Sequence, residues 1–379
     1  MYSVLILGLI TIVYDVLGGI KAIIYSDIIQ MIILTVVLIF ILFYLTSIFG
    51  GFRSMFNYFP DQRNVNLNFF EHGLGDGKEF AFWPMLIGGF FLYMSYYGCD
   101  QSQMQKALCA KNQNEGQKVF FLNGIFRFPL VLLYCLIGVG IGSYSQINAD
   151  FISSLPKQDG IPNFNLAVPI FLIDNLPIGI VGLTLVALFS AAMSSLDSVL
   201  NSLSAVTMED FVKRIKTFRY LSEKNNLFIS RVITLFWGSL AIILAFYVED
   251  ISSNVLIAIN KIGSLINGPI IGVFTLGILT KKINGNSACI GIICGFLFNL
   301  YCWVYLVNVS WLWWNAIGFV VTLKIAIVHD FFFSNFQANE NFVWSLKSFK
   351  KLHFNNTWKT RYIILFIWFI LIFSLIYFL

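Results

Sequence analysis

Ten runs of mostly apolar residues, each near the length that crosses a bilayer, constrain this chain more than any other feature. They fall at 1–18, 24–48, 82–104, 118–144, 175–206, 228–248, 255–280, 286–307, 310–332 and 360–379. A helix needs about 20 such residues to span the hydrocarbon core. Inside lipid every backbone N–H and C=O must be satisfied within the segment, so helices are the expected form. Composition agrees: 58% of residues are hydrophobic and 11% charged, against about 25% charged in soluble domains. Mean hydropathy is +0.80. The chain reads as an all-α, polytopic membrane protein with a single transmembrane domain over 1–379.

The loops alternate in charge. One set carries Lys21, Lys106, Lys111, Lys118, Lys213, Arg214, Lys216, Arg219, Lys224, Arg231, Lys281, Lys282, Lys347, Lys350, Lys351, Lys359 and Arg361; the other carries Arg53, Arg63, Lys78 and Lys157. Basic loops stay in the cytoplasm, which places the N-terminus and Leu379 outside and makes 49–81 and 145–174 the sizeable outer loops. The expected location is the plasma (inner) membrane, with lipid around the protein. The net charge of +5 follows this topology, so no nucleic-acid partner is expected. No basic stretch precedes the first apolar run, so no cleavable signal peptide is expected. Cys99, Cys109, Cys135, Cys289, Cys294 and Cys302 have no zinc-ligand or redox spacing and read as packing residues. Three basic residues fall in or beside spans. Lys324 can snorkel to the inner surface, Lys261 is ambiguous, and Arg127 is expected to be buried against a partner or cavity.

The run ALFSAAMSSLDSVLNSLSAVTMEDF (187–211) carries a polar stripe on an apolar helix. Ser190, Ser194, Asp197, Asn201 and Ser204 recur every three or four residues and share one face, bordered by Ser195, Ser198 and Ser202. A carboxylate and many oxygens on one face suit a hard cation. Tight helix packing, or serines bonded back to their own backbone, would use the same residues. His72, His329 and His353 are scattered and no base stands beside Ser194–Ser198, so hydrolase chemistry is not expected.

Four runs, YDVLGGIKAIIYSDIIQ (14–30), YYGCDQSQMQKALCAKN (96–112), LFSAAMSSLDSVLNSLSAVTMEDF (188–211) and GPIIGVFTLGILTKKINGNSACIGIICG (268–295), resemble the sodium:solute symporter family. The resemblance implies a LeuT-like inverted-repeat fold, with ion and solute sites near the membrane midplane. It makes 1–18 the fourth core helix, 24–48 the fifth, and 82–104, 118–144, 175–206, 228–248 and 255–280 the sixth to tenth. The first three core helices have no counterpart, so the chain reads as N-terminally truncated.

The resemblance also assigns roles. Ala191, Ser194 and Ser195 match the eighth-helix ligands of the main sodium site. Asp27, Ser194, Asp197 and Ser198 match a second sodium site, with Asp197 in place of a hydroxyl; Asp27 bonded to Lys21 or to solvent is the alternative. Tyr96 matches an aromatic inner gate, Tyr97 the neighbouring tryptophan, and Gly98 beside them lets the helix break. Tyr93, Arg127 and Asn260 fall at solute-binding positions where sugar carriers keep asparagine, lysine and glutamine. A guanidinium suits a carboxylate. The expected activity is Na+-coupled symport of a small organic, anionic solute such as a monocarboxylate or sialic acid, by a monomer and without catalysis. A non-transporting remnant or mis-called gene start, and a neutral sugar or polyol symporter, are the alternatives.

Overall fold

The computed structural model describes residues 2–60, 68–158, 160–246, 255–281, 283–333, 344 and 356–378. Arg63, Lys282, Lys347, Lys350, Lys351 and His353 lie outside them. Among the described residues, nine helices are long and apolar enough to cross a membrane. The chain divides into two compact units, 1–64 with 105–253 and 65–104 with 254–379.

The first unit opens on α1 (Tyr2–Ile48), which is kinked at Gly19 with φ 58° and ψ −163°. Only glycine reaches that conformation without strain, and the kink separates the first two apolar runs. The short α2 (Phe52–Asn57) follows. Later come α5 (Gln113–Ile147), α6 (Ala149–Ser154), a two-residue hairpin of β1 (Lys157–Gln158) and β2 (Ile161–Pro162), α7 (Ala167–Asn175), α8 (Ile178–Val206) and α9 (Glu223–Ala245). Side chains start two of these helices: the Asn112 carboxamide accepts from Glu115 N at 3.0 Å, and the Ser222 hydroxyl from Asn225 N at 3.4 Å. α1 packs on α5, α8 and α9. Its second half buries Val37, Ile41 and Leu45 with Ile137, Ile141 and Phe171. Lipid is as apolar as these side chains, so close packing rather than water exclusion holds them.

The second unit contains the apolar run expected as a span over 82–104, and the helix breaks inside it just after Gly98, where the resemblance expects a break. The helix runs over 82–98 through a π-turn at Pro84–Gly88 and α3 (Gly89–Gly98), then stops. Asp100 restarts it: its carboxylate accepts from Ser102 N and Ser102 Oγ, both at 2.7 Å, and α4 (Gln101–Leu108) begins there. The physical cause is a local cap that competes with the continuing helix. α10 (Val255–Leu279), α11 (Gly285–Tyr305) and α12 (Trp313–Phe333) pack on one another, and α3 packs on α10 and α12. The last helix, α13, is Asn356–Phe378.

Glycines set the α10–α12 spacing. A Cβ on Gly268 would stand 2.1 Å from the Asn315 carbonyl oxygen, and one on Gly295 would stand 2.2 Å from Thr322 Oγ1. Gly277, further along α10, has nothing within 4 Å. Gly268→Ala should therefore destabilise the protein by about 1–3 kcal/mol through overpacking, while Gly277→Ala stays near neutral. Thermal unfolding of the two variants in detergent checks this.

Outside the spans, Asp76 closes the 72–78 loop. Burial raises its pKa, but the backbone N–H groups of His72, Gly73 and Lys78 outweigh that and hold the carboxyl at about 2. A depressed folded pKa stabilises the loop above the ordinary value of 3.8 and is lost as pH falls toward about 2. Hydrogen exchange at His72, Gly73 and Lys78 should rise over that window, and Asp76→Asn should abolish the pH dependence.

Candidate ion and solute site

The polar stripe of α8 faces its neighbours in the first unit. Ser190, Asp197 and Ser204 are buried, and Ser194 and Asn201 half-buried. Against α1, the Tyr14 hydroxyl donates to Asp197 Oδ2 at 2.7 Å and the Ser194 hydroxyl donates to Asp27 Oδ1. Against α9, Ser204 Oγ donates to the Ser230 carbonyl at 3.1 Å. Tyr14 and Asp27 stand on opposite sides of the Gly19 kink, so both halves of α1 reach α8 within one turn of it. Ser198 Oγ donates to the Ser194 carbonyl at 2.8 Å and approaches Asp197 Oδ1 at 3.2 Å. Ser195 is exposed and donates to the Ala191 carbonyl at 3.2 Å.

Asp27 has a partner that the sequence reading missed. Lys106 Nζ lies 2.5 Å from Asp27 Oδ2, so Lys106 forms this ion pair. It looked like a loop lysine because it sits past the break at residues 99–100. Asp15 was missed as well. It is 6% exposed, and neither of its carboxylate oxygens has a hydrogen-bond partner among the described residues. A signal was present, because an ionisable residue inside an apolar run is a functional candidate by default.

In the second unit, Tyr93, Tyr96 and Tyr97 form one aromatic group. Tyr93 and Tyr97 stack with centroids 6.1 Å apart, and Tyr96 meets Tyr97 edge-on at 5.0 Å. Gln103 Nε2 donates to the Tyr96 hydroxyl at 2.8 Å. The Tyr97 hydroxyl is buried with no partner among the described residues. Asn260 is exposed on α10. Lys261 resolves as the partner of Glu79, at 2.6 Å, and Lys324 is exposed.

The expected burial of Arg127 is corrected: it is exposed and makes no ion pair among the described residues. At 100° per residue it stands roughly 80° around α5 from Ile137, off the face that packs on α1. A cavity of about 660 Å³ in the first unit is lined by Phe59, Gly142, Gln146, Phe151 and Phe164 among others, and by none of the expected site residues.

One serine does meet a histidine. Ser287 Oγ lies 3.0 Å from His329 Nδ1 and 3.0 Å from Asp330 Oδ1, which also accepts from Asn284 N at 3.0 Å. The carboxylate binds the serine and not the imidazole, and Ser287 is fully buried. This is a clasp between α11 and α12, not a nucleophile with its base. Among the described residues no group of three or more His, Cys, Asp or Glu can hold a metal ion, and all six cysteines are free.

These features define a membrane protein with a buried acidic and hydroxyl-rich helix pair and a broken helix carrying tyrosines. The sodium:solute symporter family matches residues 1–295, and the chain belongs to that family. It is 29% identical over 301 residues to sodium-coupled monocarboxylate transporter 1 of Homo sapiens, covering 79% of this chain and 48% of that protein. It is 28% identical over 330 residues to the sodium-dependent multivitamin transporter of Oryctolagus cuniculus, covering 84% and 47%. It is 27% identical over 337 residues to the sodium/sialic acid symporter NanT of Aliivibrio fischeri, covering 86% and 62%. The chain spans about half the length of the curated monocarboxylate and multivitamin relatives it matches. A solved substrate-bound, outward-open Na+-coupled sialic acid symporter superposes with a TM-score of 0.73 at 22% identity, covering 89% of this chain and 67% of that one. The all-α, LeuT-like transporter fold expected from the sequence is the fold found, in a multi-pass membrane protein.

The Lys106–Asp27 pair is partly open, with side chains 32% and 18% exposed. Asp27→Asn or Lys106→Met alone should destabilise, by less than the roughly 3–5 kcal/mol seen when one partner of a fully buried pair is removed. The double variant should recover most of the loss. A double-mutant cycle on thermal unfolding reads the coupling.

Proposed function

We propose that the protein carries out sodium-coupled symport of a small organic anion by alternating access in the plasma membrane, as a monomer with one transport domain. The observation that carries this is the α1–α8 contact, where Asp27, Ser194, Asp197 and Ser198 form one polar chain. Sodium exchanges its water shell for about five or six oxygens. The Ala191 carbonyl and the Ser194 and Ser195 hydroxyls offer three in one turn of α8, and these are the ligands assigned to the main ion. Asp27, Asp197 and Ser198, together with Ser194, are the side chains assigned to a second sodium ion. Inward movement of one Na+ gains about 2.3 kcal/mol per 100 mV from voltage alone, which is enough to drive accumulation.

The solute reading rests on the relatives, whose names specify monocarboxylate, multivitamin and sialic acid. Tyr93, Tyr96 and Tyr97 supply flat faces for the apolar part of such a solute, and Asn260 supplies a polar contact. In the other unit Arg127, exposed on its span, is the cation this reading offers to a carboxylate. The test is uptake into vesicles that carry the purified chain, driven by an imposed sodium gradient. Labelled monocarboxylates or sialic acid should accumulate, and unlabelled carboxylates should compete where neutral hexoses do not. Ser195→Ala should raise half-saturating sodium about tenfold, equal to about 1.4 kcal/mol, in a folded protein. Competition by hexoses alone would overturn the anionic reading, and unchanged sodium activation would remove Ser195 from the ion site.

A further inference from the structure

Between α8 and α9 the chain presents a dense positive surface on a short tether. α8 ends in a π-turn at Thr207–Phe211, and 3-10 turns follow at Val212–Arg214 and Lys216–Phe218 before Ser222 caps α9. Both ends of this segment are fixed to the helix pair. Trp237 Nε1 donates to Thr207 Oγ1 at 3.0 Å, Met208 is buried, and Ser204 reaches the Ser230 carbonyl. The 11 residues 212–222 therefore run between two anchored points. Half of that length, fully extended, reaches at most about 20 Å, and 3-10 turns rise only about 2 Å per residue. The loop stays beside the bilayer surface that its two helices leave.

Residues 211–222 contain Lys213, Arg214, Lys216 and Arg219 and no acid, and Lys224 follows. The flanking acids are Glu209, Asp210 and Glu223, and Glu209 is bound by Lys213. Arg214, Lys216, Arg219 and Lys224 are exposed and make no ion pair among the described residues. The same loop turns large apolar side chains outward: Phe211 is 67% exposed and Tyr220 86%, with Ile215 and Phe218 exposed as well. The Arg219 guanidinium stands 5.8 Å from the centre of the Tyr220 ring, within range of a cation–π contact. Basic residues in an inner loop also direct insertion, and that accounts for the charge. It does not account for the bare rings, which water disfavours and a lipid boundary accepts.

We propose that the loop over 211–224 is a docking surface for anionic phospholipid headgroups of the cytoplasmic leaflet. Each feature narrows the occupant. Positive charge without an acid among it selects an anion. The short tether selects an anion held at the membrane. The exposed rings select one that offers an acyl boundary next to its charge, which a soluble acidic peptide does not. Arg214 and Arg219 can grip a phosphate with two parallel N–H donors each, and Lys216 and Lys224 add point charges. Clusters of this size just inside a span attract anionic lipid over a screening length of about 8 Å at physiological salt. Lipid bound here holds the inner ends of α8 and α9 against the leaflet, whatever solute the chain carries and whatever ion drives it.

The experiment places the purified full chain in phosphatidylcholine vesicles and reads, by electron spin resonance, how much spin-labelled phosphatidylserine and spin-labelled phosphatidylcholine the protein immobilises. The wild type should favour the serine lipid by roughly threefold or more at low salt. That preference should largely vanish near 1 M salt, where the screening length falls to about 3 Å. The triple variant Arg214→Gln, Lys216→Gln, Arg219→Gln should bind the two lipids alike. Arg214→Lys with Arg219→Lys, which keeps the charge, should retain most of the preference. Lys111→Gln with Lys324→Gln, which removes exposed charges outside the loop, should behave as wild type. If the triple variant does not fold, Lys216→Gln and Arg219→Gln should each remove part of the preference. Equal binding of the two lipids by the wild type overturns the proposal, as does a preference that survives the triple variant or falls equally in the Lys111, Lys324 control. Loop-dependent binding of polyglutamate by a wild type without lipid preference assigns the surface to a soluble acidic partner and also overturns it. None of these outcomes touches sodium coupling, which the uptake experiment decides separately.

Discussion

The contact between α1 and α8 is where the chemistry of this chain concentrates. A bilayer offers no water to a polar group, so a helix that carries Asp197 and a row of serines must face protein on that side. α1 meets the demand from two places, with Tyr14 before its kink and Asp27 after it. The kink at Gly19 sits between them. Ser195, Ser198 and Ser202 bond back to carbonyls of their own helix. These bonds let the helix carry hydroxyls through lipid with their donors satisfied.

The second unit solves a different problem. Its helices α10, α11 and α12 approach through glycines, and buried amides tie them together. Asn299 Nδ2 donates to the Leu265 carbonyl at 3.0 Å, and Asn315 Nδ2 to Ser264 Oγ at 3.0 Å. Close backbone approach supplies the dispersion contacts that replace a hydrophobic driving force in lipid. Within the same unit the helix over 82–98 ends beside its tyrosines. A break of that kind frees backbone groups and lets side chains move, which a transport site needs and a packing helix does not.

Much of the site was legible in the sequence as a list of oxygens. The spacing of Ser190, Ser194, Asp197, Asn201 and Ser204 puts them on one face of any helix, whatever lies opposite. What lies opposite was not legible. Lys106 stands beyond a helix break, and nothing in its neighbourhood points to Asp27 79 residues earlier. Asp15 was visible as an acid in an apolar run, but its enclosure depends on which face of α1 turns toward α8. Arg127 erred in the other direction. A charge in a span suggests burial, yet its angular position on α5 leaves it on an open side.

By itself the sequence determined the all-helical membrane class, the positions of the long helices and the polar face of α8. These follow from hydropathy and a period of 3.6 residues, which are properties of each segment alone. The tertiary structure decided the partners: Tyr14 for Asp197, Ser194 and Lys106 for Asp27, Glu79 for Lys261, and, among the described residues, none for Asp15. Partner choice depends on how helices distant in sequence rotate and cross within each unit, which no single segment carries.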